Sequence, residues 1–274
     1  MDVTGKTRNN RRLVLAKMSR AAKSGLISVP DAAKVLNVSG SEAAVRLASL
    51  MRGGWARRIR RGLYMILPSE IEPGQASAPE DVWVLAVQAF APCYVGGWSA
   101  AEHWGLTEQI FRSTLIVTGA PIRNNSVTLA NHEFRLFKVP RARLSGTVSI
   151  WRGSTKVPVS SRERTIVDCL RTPQLCGGIR HLAHMMNVYS ELPEKNMEKL
   201  LKEATASANG AAWKRLGYLS EILWPGSEGI QQMAKQHISA GYSLLDPEIK
   251  QPGKFLRRWN LKINAAISVA SEAA

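Results

Sequence analysis

Four side chains that can ligate a metal ion lie within one short stretch of this sequence: Cys169, Cys176, His181 and His184. A structural zinc site usually has its cysteines two to four residues apart. Here six residues separate the two cysteines, and Cys169 lies on an apolar helical face. We therefore expect buried, inert cysteines and no metal or other cofactor, with a metal site as the alternative.

The sequence offers little for nucleophilic or acid–base catalysis. The segment Gly97–Ala101 resembles a nucleophile elbow, but that turn needs a glycine where Ala101 stands. Ser99 is instead expected to be the N-cap of a short helix. Glu102 and Asp168 are isolated, whereas a nuclease needs clustered carboxylates to hold a divalent ion. No P-loop or dinucleotide fingerprint is present, and we expect no catalytic residue.

The first 67 residues carry a stronger chemical signal, which is their positive charge. They hold 14 Lys and Arg against three acidic residues, a net charge of +11 out of +16 for the whole chain. Concentrated positive charge on a folded module is typical of a protein that binds nucleic acid. A basic disordered tail is the alternative, but apolar periodicity runs through the same residues.

The types of side chain in this segment indicate double-stranded DNA as the binding partner. Short polar groups, carboxylates and arginines can bind base edges or adjacent phosphates. Six such residues are expected to do so: Ser39, Ser41, Glu42, Arg46, Ser49 and Arg52. A second set of arginines is expected along the phosphate backbone or in the narrow groove: Arg57, Arg58, Arg60 and Arg61. Further phosphate contacts are expected from Arg8, Arg11 and Arg12.

Three helices and a hairpin are predicted to position these residues. Helical periodicity runs over 8–23, capping signals open a short second helix, and a capping box at Ser39–Glu42 opens a third that ends near Arg52. Two short strands follow, at 55–59 and 63–67. This order is that of a winged helix-turn-helix, which places the third helix in the major groove and the hairpin along the phosphates or the minor groove.

A wheel of about 100° per residue separates two faces of the third helix. Its predicted apolar face holds Ala43, Ala44, Leu47, Leu50 and Met51. The opposite face mixes short hydrogen-bonding side chains with arginine. Such a surface is what a helix needs in order to read base edges.

The fold class expected is mixed α+β, with a winged helix-turn-helix over 1–67, a linker over 68–79 and a larger α/β domain over 80–274. In that domain Ser160 and Glu163 are expected to cap a helix, and the seven tryptophans are expected to be core residues rather than platforms for unpaired bases.

The sequence has no apolar run long enough to span a membrane, no secretory leader and a sparse, odd set of three cysteines. We expect a cytoplasmic protein.

The chain resembles the AbiE-type (AbiEi) antitoxin family along most of its length. Five stretches carry the resemblance: Arg61–Tyr64 with Pro68, Tyr94–Thr107, Ser161–Asp168, Arg215–Leu219 and Leu245–Pro247. The resemblance implies the antitoxin of a bacterial type IV toxin–antitoxin pair for abortive infection, a phage defence. Such a protein binds inverted repeats in its own promoter through the winged helix and represses transcription. Its C-terminal domain counters a nucleotidyltransferase-type toxin without a stable complex.

Two other functions stay open at this point. The basic module could deliver a DNA-processing enzyme with a nuclease-like second domain. Alternatively, the second domain could sense a small molecule and change the affinity of the first for its promoter.

Overall fold

The computed structural model describes residues 13–67 and 81–267 of the chain. The predicted linker at 68–79 and the three arginines Arg8, Arg11 and Arg12 lie outside these described residues. The chain divides into two compact units. The first runs to Cys93 and adds Thr118–Lys138 and Ser149–Pro158. The second comprises Tyr94–Val117, Val139–Val148 and the chain from Val159 onward.

The first unit begins with a winged helix-turn-helix, as the sequence predicts. Its elements are α1 (13–21), β1 (Leu26–Ser28), α2 (Val29–Leu36), α3 (Gly40–Arg52), β2 (Ala56–Arg60) and β3 (Leu63–Ile66). The three strands form one antiparallel sheet in the order β1-β3-β2. Strand β1 has no counterpart in the sequence prediction, because three residues are too few to show an alternating pattern.

Hydrogen-bonding side chains start both α2 and α3 where the sequence predicts. Ser28 Oγ accepts from the backbone N–H of Asp31, and Ser39 Oγ accepts from that of Glu42, both at 3.2 Å. Each cap satisfies an N–H that has no partner within its helix. The C-cap of α2 is Asn37, which adopts the left-handed conformation, and the C-cap of α3 is Gly53.

Apolar residues of the helices and the sheet form one core in this module. The core is made of Leu15, Met18, Ile27, Ala32, Ala43, Leu47, Leu50, Ala56, Tyr64 and Ile66. Burial of each large side chain there contributes roughly 1.5–3 kcal/mol. The predicted place of Met51 on the apolar face of α3 is wrong, because this side chain is 39% exposed. It lies about 100° around the helix from Leu50, at the edge of the apolar arc and in the last turn.

The rest of the chain is a mixture of helices and strands, which bears out the predicted α+β class. The helices are α4 (Val82–Phe90), α5 (Gly97–His103), α6 (Arg162–Arg171), α7 (Ile179–Glu191), α8 (Met197–Ala206), α9 (Gly210–Leu223) and α10 (Glu228–His237). The strands are β4 (Cys93–Val95), β5 (Thr114–Thr118), β6 (Ser126–Leu129), β7 (His132–Lys138), β8 (Thr147–Arg152), β9 (Thr155–Ser160), β10 (Ser243–Leu244), β11 (Lys254–Leu256) and β12 (Leu261–Ile263).

These later strands form two sheets. The larger has six strands in the order β6-β7-β5-β4-β9-β8, and the smaller has the order β10-β12-β11. Strands β6 and β7 are antiparallel, with Ser126 opposite Arg135 and Leu129 opposite His132. Strands β4 and β9 run parallel. The larger sheet is therefore mixed.

Two of the predicted helix caps in this region are wrong. Helix α5 starts at Gly97 with Gly96 as its N-cap, whereas Ser99 is buried within the helix and its Oγ accepts from the Leu115 N–H at 2.9 Å. Helix α6 is capped by Ser161 rather than by Ser160, whose hydroxyl lies 2.7 Å from that of Thr165. The Ser99 hydroxyl is taken by a residue of β5, and the Ser160 hydroxyl by a threonine within α6 itself, so neither is available as a cap.

A buried polar framework holds the second unit together. Asp168 Oδ1 lies 3.0 Å from Arg164 Nε, and Tyr94 donates to Asp168 Oδ2 at 2.7 Å. The guanidinium of Arg215 donates to the carbonyl oxygens of Leu170, Arg171, Leu244 and Leu245. Such networks satisfy buried polar groups, which would otherwise cost free energy.

The core of this unit predicts opposite effects for two glycine-to-alanine substitutions. In Gly217→Ala on α9, the new Cβ would overlap the ring of the fully buried Trp259. We expect a loss of about 1–3 kcal/mol in the free energy of unfolding. Gly229 on α10 has no atom near the position of a Cβ. Gly229→Ala should therefore be neutral or should stabilise by up to about 1 kcal/mol. Urea unfolding followed by circular dichroism measures both, and equal midpoints would contradict the packing described.

Candidate nucleic-acid interface

The outward face of α3 carries the side chains that the sequence assigns to base edges. Ser41, Glu42 and Arg52 are exposed, Arg46 and Ser49 are partly exposed, and Ser39 is exposed at the N-cap. On a wheel, the members within the helix span an arc of about 140°, turned away from the buried Ala43, Leu47 and Leu50. The tertiary structure thus brings this predicted set together on one surface.

An ion pair organises one flank of this face. Arg46 Nη2 lies 2.6 Å from Glu42 Oε1, one helical turn away, and the two side chains are 37% and 50% exposed. The Ser39 and Ser41 hydroxyls form a second link, 2.9 Å apart. Arginine can donate two hydrogen bonds to guanine O6 and N7, and a glutamate can accept from cytosine N4. The pair therefore holds close together two groups whose chemistry suits base edges.

The hairpin presents the second arginine set. Arg57, Arg58, Arg60 and Arg61 are all exposed, on β2 and the turn after it. Strand β2 lies at an edge of the three-stranded sheet, where it has one neighbour instead of two. None of these four arginines is folded into the core.

Strand alternation and a bulge place Arg57, Arg58 and Arg60 on the two faces of the sheet. Arg57 pairs with Met65, Arg58 with Tyr64 and Arg60 with Leu63, so Ile59 is an extra residue in β2. Because cross-strand partners share a face and successive residues alternate, Arg58 lies on the same face as Tyr64.

Tyr64 belongs to the core cluster that includes Leu47 and Leu50 of α3, so Arg58 lies on the α3 side of the sheet. Arg57 and Arg60 lie on the opposite face. The sequence prediction assigns all four arginines alike because it does not apply the alternation of a strand, and the bulge that moves Arg60 to the face of Arg57 has no visible signal in the sequence.

Val45 is a residue of this surface that the sequence assignment omits. It lies on α3 and is 64% exposed. Valine is a typical core residue, so its residue type gives no reason to include it among polar DNA contacts. Its position relative to Ser41 and Ser49, one turn away on either side, would have placed it on the outward face.

The second unit contains an open pocket of about 560 Å³. It is lined by Thr107, Glu108, Gln109, Gly177, Arg180, His181 and His184. The His181 Nε2 atom lies 2.7 Å from Thr107 Oγ1, and the His181 ring stacks on Phe111. Burial lowers the pKa of His181 below its ordinary value, which favours the neutral imidazole at pH 7. The described residues contain no group of three or more His, Cys, Asp or Glu that could hold a metal ion.

Cys169 and Cys176 are buried, as the sequence predicts, and Cys93 is buried as well. Cys93, Cys169 and Cys176 are free thiols inside the protein. Burial raises the pKa of Cys93 to about 12. A hydrogen bond with Cys176, together with burial, raises the pKa of Cys169 well above its ordinary value. All three thiols are therefore packing groups in this structure.

The expectation that the seven tryptophans are core residues is confirmed for three of them and is wrong for Trp151, while Trp83, Trp98 and Trp104 are only partly buried. Trp213, Trp224 and Trp259 are buried. Trp151 on β8 is 66% exposed, with the Lys156 ammonium 4.9 Å from its ring centre. The Trp151 ring is on the surface because β8 is an edge strand of the six-stranded sheet and Trp151 is at an exposed position of that strand.

Comparison with known proteins finds a solved structure with a similar fold. No family model and no curated protein matches the chain. The crystal structure of the Rv2827c protein from Mycobacterium tuberculosis is similar, with a TM-score of 0.57 and 17% sequence identity over 93% of this chain and 90% of that one. The likeness supports the α+β fold, and the AbiE-type resemblance stays a prediction. Within 13–67 and 81–267, no helix is long and apolar enough to cross a membrane.

Proposed function

We propose that this protein is a sequence-specific, non-enzymatic regulator that binds double-stranded DNA through its winged helix. Helix α3 enters the major groove, and the hairpin contacts the phosphate backbone or the adjacent minor groove. The observation that carries the proposal is the outward face of α3, with its Glu42–Arg46 pair, next to a hairpin with four exposed arginines.

The charge balance of the module supports a polyanionic partner. Within residues 13–67, ten Lys and Arg face two acidic residues, Asp31 and Glu42. Arg46 forms the ion pair seen in this range, with Glu42. Asp31 accepts instead from the Ser28 hydroxyl at its own helix terminus. Most of the positive charge is thus left to attract an external anion such as a phosphate backbone.

The AbiE-type resemblance extends the proposal to a biological role. The protein would act in the cytoplasm, bind inverted repeats in its own promoter and repress transcription. Its C-terminal domain would counter a nucleotidyltransferase-type toxin without forming a stable complex with it. The resemblance alone supports this second role, so it needs a separate test.

Binding to the protein's own upstream region is the first expected outcome. Gel shifts should show tighter binding to that region than to a scrambled duplex of the same composition. If the protein neutralises about six phosphates, log affinity should fall against log salt with a slope of roughly −5. Equal affinity for the two duplexes at every salt concentration would contradict sequence-specific recognition.

Substitutions on α3 and on the hairpin should have different signatures. Arg46→Ala should relax the preference at one base pair, with a loss of about 1–3 kcal/mol of discrimination. Arg58→Ala should weaken binding to all sequences similarly and reduce the salt slope by about one. Arg57→Ala is the matched control: it removes the same charge from the opposite face of the sheet and should weaken binding less.

Folding does not confound this comparison. An exposed ion pair one turn apart on a helix stabilises by about 0.3–0.5 kcal/mol, so Arg46→Ala should unfold at nearly the same temperature as the wild type. A uniform loss of affinity in Arg46→Ala, together with altered sequence preference in Arg58→Ala, would reverse the two roles.

The antitoxin role predicts rescue of growth. A nucleotidyltransferase-like protein encoded next to this chain should arrest growth when expressed alone, and co-expression of this chain should restore it. The double variant Arg46→Ala/Arg58→Ala should still restore growth, because antitoxicity is assigned to the C-terminal domain. Growth arrest that persists with the wild-type chain would refute the antitoxin role and leave the DNA-binding proposal standing.

A further inference from the structure

An apolar side chain occupies the middle of the face that α3 turns outward. Val45 is 64% exposed, whereas Ala43 and Leu47 on the same helix are fully buried. On a wheel of about 100° per residue, Val45 lies about 180° from the midpoint of Ala43 and Leu47. It therefore points directly away from the core of the winged helix.

The surroundings of Val45 leave its methyl groups accessible. Ser41 precedes it and Ser49 follows it by one turn on the same face, and both have short side chains. The longer Glu42 and Arg46 lie to one side, where they form the ion pair. Within the outward arc of α3, Val45 is thus a projecting apolar group among polar neighbours.

The major groove offers one apolar group among its base edges, which is the C5-methyl group of thymine. We propose that Val45 is a specificity-determining residue that packs against a thymine methyl group in the bound DNA. This inference rests on the proposed function, since it requires α3 to lie in the major groove. Because Glu42 and Arg46 suit a cytosine or a guanine, the thymine should lie next to a G·C pair.

Removal of the thymine methyl group tests this contact directly. The sequence bound by the full-length protein is first defined by footprinting on the upstream region or by selection from random duplexes. Each thymine in it is then replaced by uracil, which lacks the methyl group and keeps the base-pairing edge. Dissociation constants are measured for the wild type, Val45→Ala and Val45→Ile.

The expected result is a coupling between one methyl group and one side chain. Uracil at a single thymine of each half-site should weaken wild-type binding about four- to fifteenfold, the range for one or two buried methyl groups. Val45→Ala should bind the thymine duplex more weakly and should be indifferent to uracil at that position. Val45→Ile should keep the sensitivity, and Ser41→Ala is the matched control that should also keep it.

The outcomes separate this inference from the proposed function. A protein that prefers no sequence refutes the proposed function and the inference together. A protein that binds a defined sequence with no sensitivity to uracil refutes the inference alone. Equal uracil sensitivity in the wild type and Val45→Ala also refutes it, because another group then senses the methyl. Circular dichroism of each variant confirms folding, which substitution of this exposed side chain should leave unchanged.

Discussion

The burial of one face of α3 is the constraint on which the proposed interface depends. Leu47 and Leu50 pack with Tyr64 and Ile66 of the sheet in one core. Because a helix turns about 100° per residue, fixing these side chains inward also fixes which side chains point outward. The same packing joins the hairpin to α3, so the outward face of α3 and the cationic hairpin belong to one module with a common core.

Affinity and specificity come from different parts of this module in the proposed complex. The exposed arginines of the hairpin supply attraction to phosphates that is independent of sequence. The outward face of α3 supplies hydrogen-bonding groups and one apolar side chain, Val45, that suit base edges. The carboxylate of Glu42 repels phosphate, and its place in this face is consistent with discrimination rather than with general affinity.

Three of the five stretches that carry the AbiE-type resemblance have structural roles in the second unit. Arg164 and Asp168 form its buried ion pair, and Arg215 satisfies carbonyl oxygens from two segments. Asp246 accepts from the Ile179 N–H at the start of α7. These residues are therefore accounted for by buried hydrogen bonds and ion pairs. An antitoxic activity of this unit would therefore have to be sought on its surface, where the resemblance assigns no residue.

The sequence by itself determined the order of helices and hairpin in the winged helix, the caps at Ser28 and Ser39, and the concentration of positive charge. These features depend on residues within one or two turns of each other, so local spacing is enough to reveal them. The tertiary structure alone decided the addition of β1, the bulge at Ile59 and the use of the Ser99 hydroxyl. Strand β1 and the Ser99 hydroxyl depend on partners distant in the sequence, and the bulge depends on the register of β2 against β3, which packing of the sheet sets.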